Sequence, residues 1–320
     1  MRVCVATTLH HPEDARIMHR QIRALLDAGH EVTYVAPFTH FNVTPVPPIT
    51  AIDVRRGGVP RAALRRGVKD ADLLILHEPE LLVALPFRHP PVVLDTRDEP
   101  EGPLGRRLVA RARRLYHVLE PAAAEATLAA TEPPPPGDTR IVHIGRLTAD
   151  KGVNELVGLA QRLAPHGIRL DLIGAADREV RPVLRDAQRI GLLDWFGYVP
   201  NRHALRMAEG ALAGLCLWRE PSVRPPTKIL DYMGRGVPVV TTPVAAAVVR
   251  QAGCGSVVPY GDVDAALEAV LDLKEDPARR AKLGVAGNTL ARLHHHWPDH
   301  ATAFVARLEK WAGVAHELAV

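Results

Sequence analysis

From end to end the chain alternates between short β-branched or Leu-rich runs and stretches of helical periodicity. The runs are Arg2–Thr7, Glu31–Ala36, Leu73–Leu76, Val92–Leu94, Arg140–Ile144, Arg169–Ile173, Ala213–Trp218, Val237–Thr241 and Ser256–Pro259. Most are apolar at every position rather than at alternate ones, which is what parallel strands covered on both faces require. Between them, segments such as Ala15–Ala28 place Ile17, Ile22, Leu25 and Leu26 on one side of a helix. Strand, helix, strand in regular order predicts an α/β chain built from doubly wound parallel sheets.

The length of 320 residues allows two such domains. Thr131 and Glu132 lead into four successive prolines, Pro133–Pro136. Such a run fits neither a helix nor a central strand and predicts an extended linker, dividing the chain into 1–132 and 133–296. Beyond that, Phe304, Val305, Leu308 and Trp311 recur at helical spacing with Pro298 near the start, predicting a terminal helix within 297–320.

Hydrophobic residues make up 47% and charged residues 24%, a soluble globular balance. Cys4, Cys216 and Cys254 lie in apolar runs without metal-ligand spacing, so they read as buried thiols of a reducing compartment. The first strand begins almost at Met1, leaving no room for a signal peptide, and no apolar run reaches membrane-span length. The expectation is a cytoplasmic protein. The net charge of +4 suits anionic ligands or a membrane surface. Aromatic content of 4% without basic–aromatic interleaving excludes nucleic acid as a partner.

Chemistry enters after the run Arg140–Ile144, where Gly145-Arg146-Leu147-Thr148-Ala149-Asp150-Lys151-Gly152 leads into a helical pattern. Glycine permits a tight turn, and a helix start offers free N–H groups to an anion. Arg146 and Lys151 add cations that can converge on a diphosphate. Read alone, the segment is first a solvated loop with two surface cations. Downstream, Pro226-Thr227-Lys228-Ile229-Leu230-Asp231-Tyr232-Met233-Gly234 gives a loop, a short helix and a glycine, followed by the strand of Val237-Pro238-Val239-Val240. Asp231 sits one turn inside that helix, where a carboxylate can accept from two ribose hydroxyls; its alternative is an exposed helix acid.

Taken together, Gly-Arg-Leu-x-x-x-Lys-Gly and Pro-Thr-Lys-Ile-Leu-Asp-Tyr-Met-x-x-Gly-x-Pro-Val-Val resemble the retaining GT-B fold glycosyltransferases of family four, glycosyl transferases group 1. Asp14–Ile17, Gly29–Val32 and His77-Glu78-Pro79-Glu80-Leu81-Leu82 resemble the family's N-terminal elements, and Leu293–Trp297 its approach to a terminal helix that returns to the first domain. The resemblance implies an α/β GT-B fold, two Rossmann-like doubly wound parallel-sheet domains facing a central cleft. It implies a nucleotide-diphosphate sugar as donor, of UDP or GDP type, with no other cofactor and no metal. Gly145, Arg146 and Lys151 would hold the diphosphate, backbone N–H groups of Thr227 and Lys228 would join them, Asp231 would bind the ribose, and Val199 would meet the base. Arg146 and Lys151 would also stabilise the leaving group. Tyr198, beside Val199, is equally a core residue.

The chain departs from the pattern at two places. Many members carry a glutamate where Val223 stands, with Glu220 the nearest acid upstream. Members also often place a histidine in the stretch that here reads Asp95-Thr96-Arg97-Asp98-Glu99. Arg97 supplies charge there but cannot accept a proton, so His77, Glu78 and Asp98 are the candidates for acceptor activation or, alternatively, structural partners of Arg97. The acceptor is a lipid, a natural-product scaffold or a saccharide. Residues 104–118 carry Arg106, Arg107, Arg111, Arg113 and Arg114, with Leu104, Leu108 and Leu115 for an apolar side. They read as a core-packed helix with a basic face, or as a peripheral membrane contact. His294-His295-His296 cannot all face one ion and is not a metal site. The rival functions are a catalytically silent nucleotide-sugar-binding subunit and a nucleotide-sugar 2-epimerase of the same fold.

Overall fold

The structure, a computed structural model, describes residues 1–96, 102–119, 126–219, 221 and 226–313. Arg97, Asp98, Glu220 and Val223 lie outside the described residues. Contacts divide the chain into one unit of Met1–Ala124 with Pro298–Val320 and another of Glu125–Trp297.

The first unit holds a parallel sheet of β1 (Arg2–Ala6), β2 (Glu31–Ala36), β3 (Thr50–Asp53), β4 (Leu73–Leu76), β5 (Val92–Asp95) and β6 (His117–Leu119), in the order β3-β2-β1-β4-β5-β6. Val3 and Val5 of β1 enter one apolar cluster, Cys4 and Ala6 the other, so both faces are covered and every position must be apolar. The second unit repeats this with β7 (Arg140–Ile144), β8 (Arg169–Ile173), β9 (Leu193–Trp195), β10 (Ala213–Cys216), β11 (Val239–Thr241) and β12 (Gly255–Val257), ordered β12-β11-β10-β7-β8-β9. In each sheet the chain winds outward from one central strand, then resumes beside it on the other side. The loops leaving β1 and β4 diverge for that reason, as do those leaving β7 and β10. Such points open a crevice at the carboxyl ends of the strands, where doubly wound folds bind ligands.

The prolines take neither helix nor strand, but they lie on the second unit. Gly137 N–H donates to the Gly210 carbonyl at 2.8 Å, and Asn288 donates to the Ala130 and Gly234 carbonyls at 3.0 and 2.9 Å. A run without N–H donors can lie along a surface with no unpaired N–H, and the division between units falls before it. The terminal helix Trp297–Ala312 buries Leu308, with Phe304 and Trp311 beside it, against the sheet face that carries Val3 and Val5. Trp311 also stacks on His117, ring centroids 4.6 Å apart.

The basic helix is shorter than 104–118. It spans Gly102–Leu115, because His117 and Val118 pair with Val93 and Leu94 as edge strand β6. Leu108, Val109 and Ala112 face the core, whereas Leu104 and Leu115 are exposed. No helix among the described residues is long and apolar enough to cross a membrane.

Candidate functional site

In the second unit the turn after β7 is shaped by two glycines. Gly145 has φ +118°, and a Cβ there would press on Nζ and Cε of Lys228 at 3.2 and 3.3 Å. Gly152 has φ +80°, and a Cβ there would collide with the Leu217 carbonyl just beyond β10. Only glycine tolerates both the left-handed backbone and that approach. The loop is pinned down further by Arg219 N–H donating to the Asp150 carbonyl at 3.0 Å. Residues from both sides of the switch point are thus in contact.

Lys228 enters this turn from the helix Thr227–Gly234, whose residues from Lys228 onward are all buried. Its ammonium lies 2.9 Å from His143 Nε2, and His143 Nδ1 lies 3.1 Å from the Leu215 carbonyl. A carbonyl can only accept, so Nδ1 carries the proton and the Nε2 lone pair accepts from Lys228. Burial, followed by the nearby Lys228 charge, holds the imidazole well below its ordinary value, hence neutral. Burial also draws Lys228 down to about 8, aided by the Lys151 charge and opposed by that of Asp231. The ammonium of Lys151 sits 5.2 Å from the centroid of the Trp218 ring, and that of Lys228 5.9 Å from it. No described carboxylate pairs with Lys151. The Thr148 hydroxyl and Trp218 Nε1 are buried without a partner among the described residues.

Arg146 is more exposed and forks onto Asp177, Nε at 2.8 Å and Nη2 at 2.7 Å from the same oxygen. Asp231 is buried and accepts from the Thr127 hydroxyl at 2.7 Å, so it is not an exposed helix acid. Thr227 stands exposed at the first helical position after Pro226. Val199 packs, half-buried, on the apolar cluster that also holds Ile144 and Trp218. Tyr198 beside it is 43% exposed, which rules out the core reading of that ring.

In the first unit His77 and Glu78 follow β4 and are both buried. Glu78 accepts from the Thr7 hydroxyl, from Thr8 N–H at 3.0 Å and from Leu9 N–H at 3.3 Å. Burial nevertheless raises its pKa, outweighing those bonds. His77 Nδ1 lies 3.4 Å from Asp95, which also receives Arg16 and, at 2.6 Å, Gln21. These groups tie the segments after β1 and β4 to the end of β5. His143, Trp218 and Asp177 belong to the second cluster without any sequence motif announcing them; only strand order brings residue 143 beside residue 228.

Residues 138–276 match the family model described as Glycosyl transferases group 1. That stretch contains the glycine turn, both lysines, Trp218 and Asp231. Residues 138–276 are a group 1 glycosyltransferase domain. Solved structures similar to the whole chain agree in fold. Sucrose-phosphate synthase from Thermosynechococcus elongatus is 16% identical with a TM-score of 0.72, covering 98% of this chain and 100% of that one. Anabaena Alr3699/HepE in complex with UDP and glucose is 14% identical with a TM-score of 0.71, covering 96% and 99%. AviGT4, a glycosyltransferase involved in avilamycin A biosynthesis, is 20% identical with a TM-score of 0.59, covering 98% of each chain. No curated protein matches the sequence significantly. The glycosyltransferase has the GT-B architecture of two Rossmann-like domains.

Proposed function

We propose that this glycosyltransferase draws its sugar from a UDP- or GDP-type donor and passes it to an acceptor hydroxyl with retention and without a metal. The observation that carries the reading is the pair of ammonium groups on one Trp218 ring, Lys151 among them without a described carboxylate. Like charges so close repel one another until a polyanion lies between them and the solvent. A donor diphosphate meets that need, and UDP is the ligand held by the HepE structure of similar fold. In this scheme Gly145 keeps the turn clear, because its own N–H is engaged by the Ile173 carbonyl at 2.8 Å. Arg146 exchanges Asp177 for phosphate oxygens, a change its planar fork allows. The N–H groups of Thr227 and Lys228 face the phosphates at the start of a helix. Asp231 takes the ribose, and the backbone of Val199 takes the base.

As the glycosidic bond breaks, Arg146, Lys151 and the Lys228 ammonium neutralise charge gathering on the leaving diphosphate. On the acceptor side His77, Arg97 and Asp98 are the proposed contacts. Glu78 is assigned to holding the loop after β1, since three donors already occupy it. The core-facing seam of Gly102–Leu115 leaves only Leu104 and Leu115 for a bilayer, so a lipid contact there would rest on its arginines and vanish at high salt. Thermal-shift screening against UDP, GDP, ADP and dTDP, followed by product analysis with the best donor, tests the scheme. Stabilisation by none of the four, or a donor returned epimerised rather than transferred, would overturn it.

A further inference from the structure

His143 is a fully buried histidine on a central strand, and the transfer scheme gives it no task. Its two nitrogens are nonetheless committed in a definite sense, Nδ1 donating to the Leu215 carbonyl and Nε2 accepting from Lys228. We propose that His143 is a positioning residue of the donor site, which aims the Lys228 ammonium at the diphosphate without cancelling its charge; this rests on the donor-site reading above.

The chemistry of the partner is the point. A carboxylate at position 143 would orient Lys228 equally well, but it would neutralise the cation and compete with an incoming anion. A neutral imidazole supplies direction alone. An ammonium has three protons, of which His143 takes one. The Trp218 face bears on another side, and capacity remains for a phosphate oxygen. Gly145 puts no side chain against the ammonium, where a Cβ would press on Nζ at 3.2 Å. The charged and titratable neighbours of Lys228 are His143 on β7, Lys151 on the following loop, Cys216 on β10, and Asp231 and Tyr232 on its own helix. Cys216 and Tyr232 are held protonated by burial. Only Asp231 among them contributes negative charge, and Thr127 already shares it.

A diphosphate binds best to the protonated amine, so affinity should weaken as pH rises past the value of about 8 that burial imposes on Lys228. Calorimetric titration of the wild type, His143→Phe, His143→Gln and Lys228→Met from about pH 7 to about pH 9.5 reads this directly. The probes are the best of the four nucleoside diphosphates and inorganic pyrophosphate, which has no base to bind. The expected result is an alkaline loss of affinity in the wild type. It should move to lower pH in His143→Phe, with affinity at neutral pH down about tenfold, because the ammonium loses its acceptor. His143→Gln, whose amide oxygen can accept from Lys228, should stay within about twofold of wild type. Lys228→Met should lose the alkaline break. His143→Phe matching the wild type would overturn the proposal, as would equal weakening by Phe and Gln with the pH break unmoved. If His143→Phe does not fold, a break that persists in Lys228→Met overturns it instead. A wild type that binds neither probe would sink the donor-site reading, and this inference with it.

Discussion

The two units wind their sheets by the same scheme, yet the buried polar groups at their strand ends differ in chemistry and in how completely they are satisfied. In the first unit two carboxylates and the Arg16 guanidinium are buried together. Glu78 and Asp95 are enclosed by donors from neighbouring loops, so their bonding capacity is spent inside the protein. In the second unit the buried Lys228 ammonium is partnered by a neutral imidazole and flanked by a second ammonium, with the Asp231 carboxylate buried on the same helix. A saturated buried charge organises the chain around it. One left with a neutral partner and a like-charged neighbour is arranged for something yet to arrive.

The largest expected effect would come from removing the second unit's cations. Arg146→Ala and Lys151→Ala should each lower turnover about a hundredfold or more, with nucleotide affinity falling less, because part of each interaction forms only as the diphosphate leaves. Chelation by EDTA should leave the wild-type rate unchanged. Transfer assays on the three proteins, with and without chelator, check this. Normal turnover in either variant, or activity abolished by EDTA, would break the contrast between the units.

Much of this contrast was legible in the sequence, and the missing parts share a cause. The central strands were readable because burial on both faces makes them continuously apolar, as in Leu73–Leu76. The strands without a signal, Thr50–Asp53, His117–Leu119 and Leu193–Trp195, all lie at sheet edges, where partial exposure relaxes the pattern. The helix expected over Ala15–Ala28 begins as a π-helical turn at Ile17–Ile22 and becomes α-helical only at Arg23–Asp27. That register delivers Gln21, five residues after Arg16, to the same Asp95, and such turns recur at functional sites. In the site, Arg146 and Lys151 stand out through local spacing, whereas Lys228 entered through the family resemblance, for its backbone N–H and not for its ammonium. His143 and Trp218 carry no such signal, because their places depend on which strands are neighbours, a fact no short window contains.

The next effect concerns Asp231, the one carboxylate buried in the cationic cluster's own helix. Asp231→Ala should weaken nucleoside diphosphate binding by about 1.5–3 kcal/mol, the range for a hydrogen bond to a charged group. Thr127→Val removes the protein's hydroxyl but leaves the carboxylate for the ribose. It should therefore cost stability and spare affinity. Titrations that find Asp231→Ala binding like wild type would make this acid a structural one, like those of the first unit.

Glu78 sharpens the comparison from the other side. If its work is to hold the loop after β1, Glu78→Ala should cost about 1–3 kcal/mol of stability by stranding buried donors, and Glu78→Gln should cost less. Urea unfolding measures both. A Glu78→Gln protein of full stability but without activity would move this residue into the chemistry of the acceptor.

The smallest effect separates the units by pH. Buried and neutral, His143 is held below its ordinary value of 6.5. The unfolded chain therefore takes up a proton that the native one refuses as pH falls past 6.5, and stability falls with it. Glu78 has the opposite sign. Its native value is raised above 4.5, so the native state takes up the proton first, and stability rises as pH falls through that value. His143→Gln should thus flatten the acid loss by up to about 1.4 kcal/mol per pH unit, whereas Glu78→Gln should steepen it. Trp195, Trp218 and Trp297 lie in the second unit and Trp311 in the first. In a Trp311→Phe background, fluorescence therefore follows the second unit alone during urea unfolding. There the His143 variant should differ from its parent at pH 5 relative to pH 7, and the Glu78 variant should not. A Glu78→Gln effect on that signal as large as the His143→Gln effect would mean that the two buried groups are coupled.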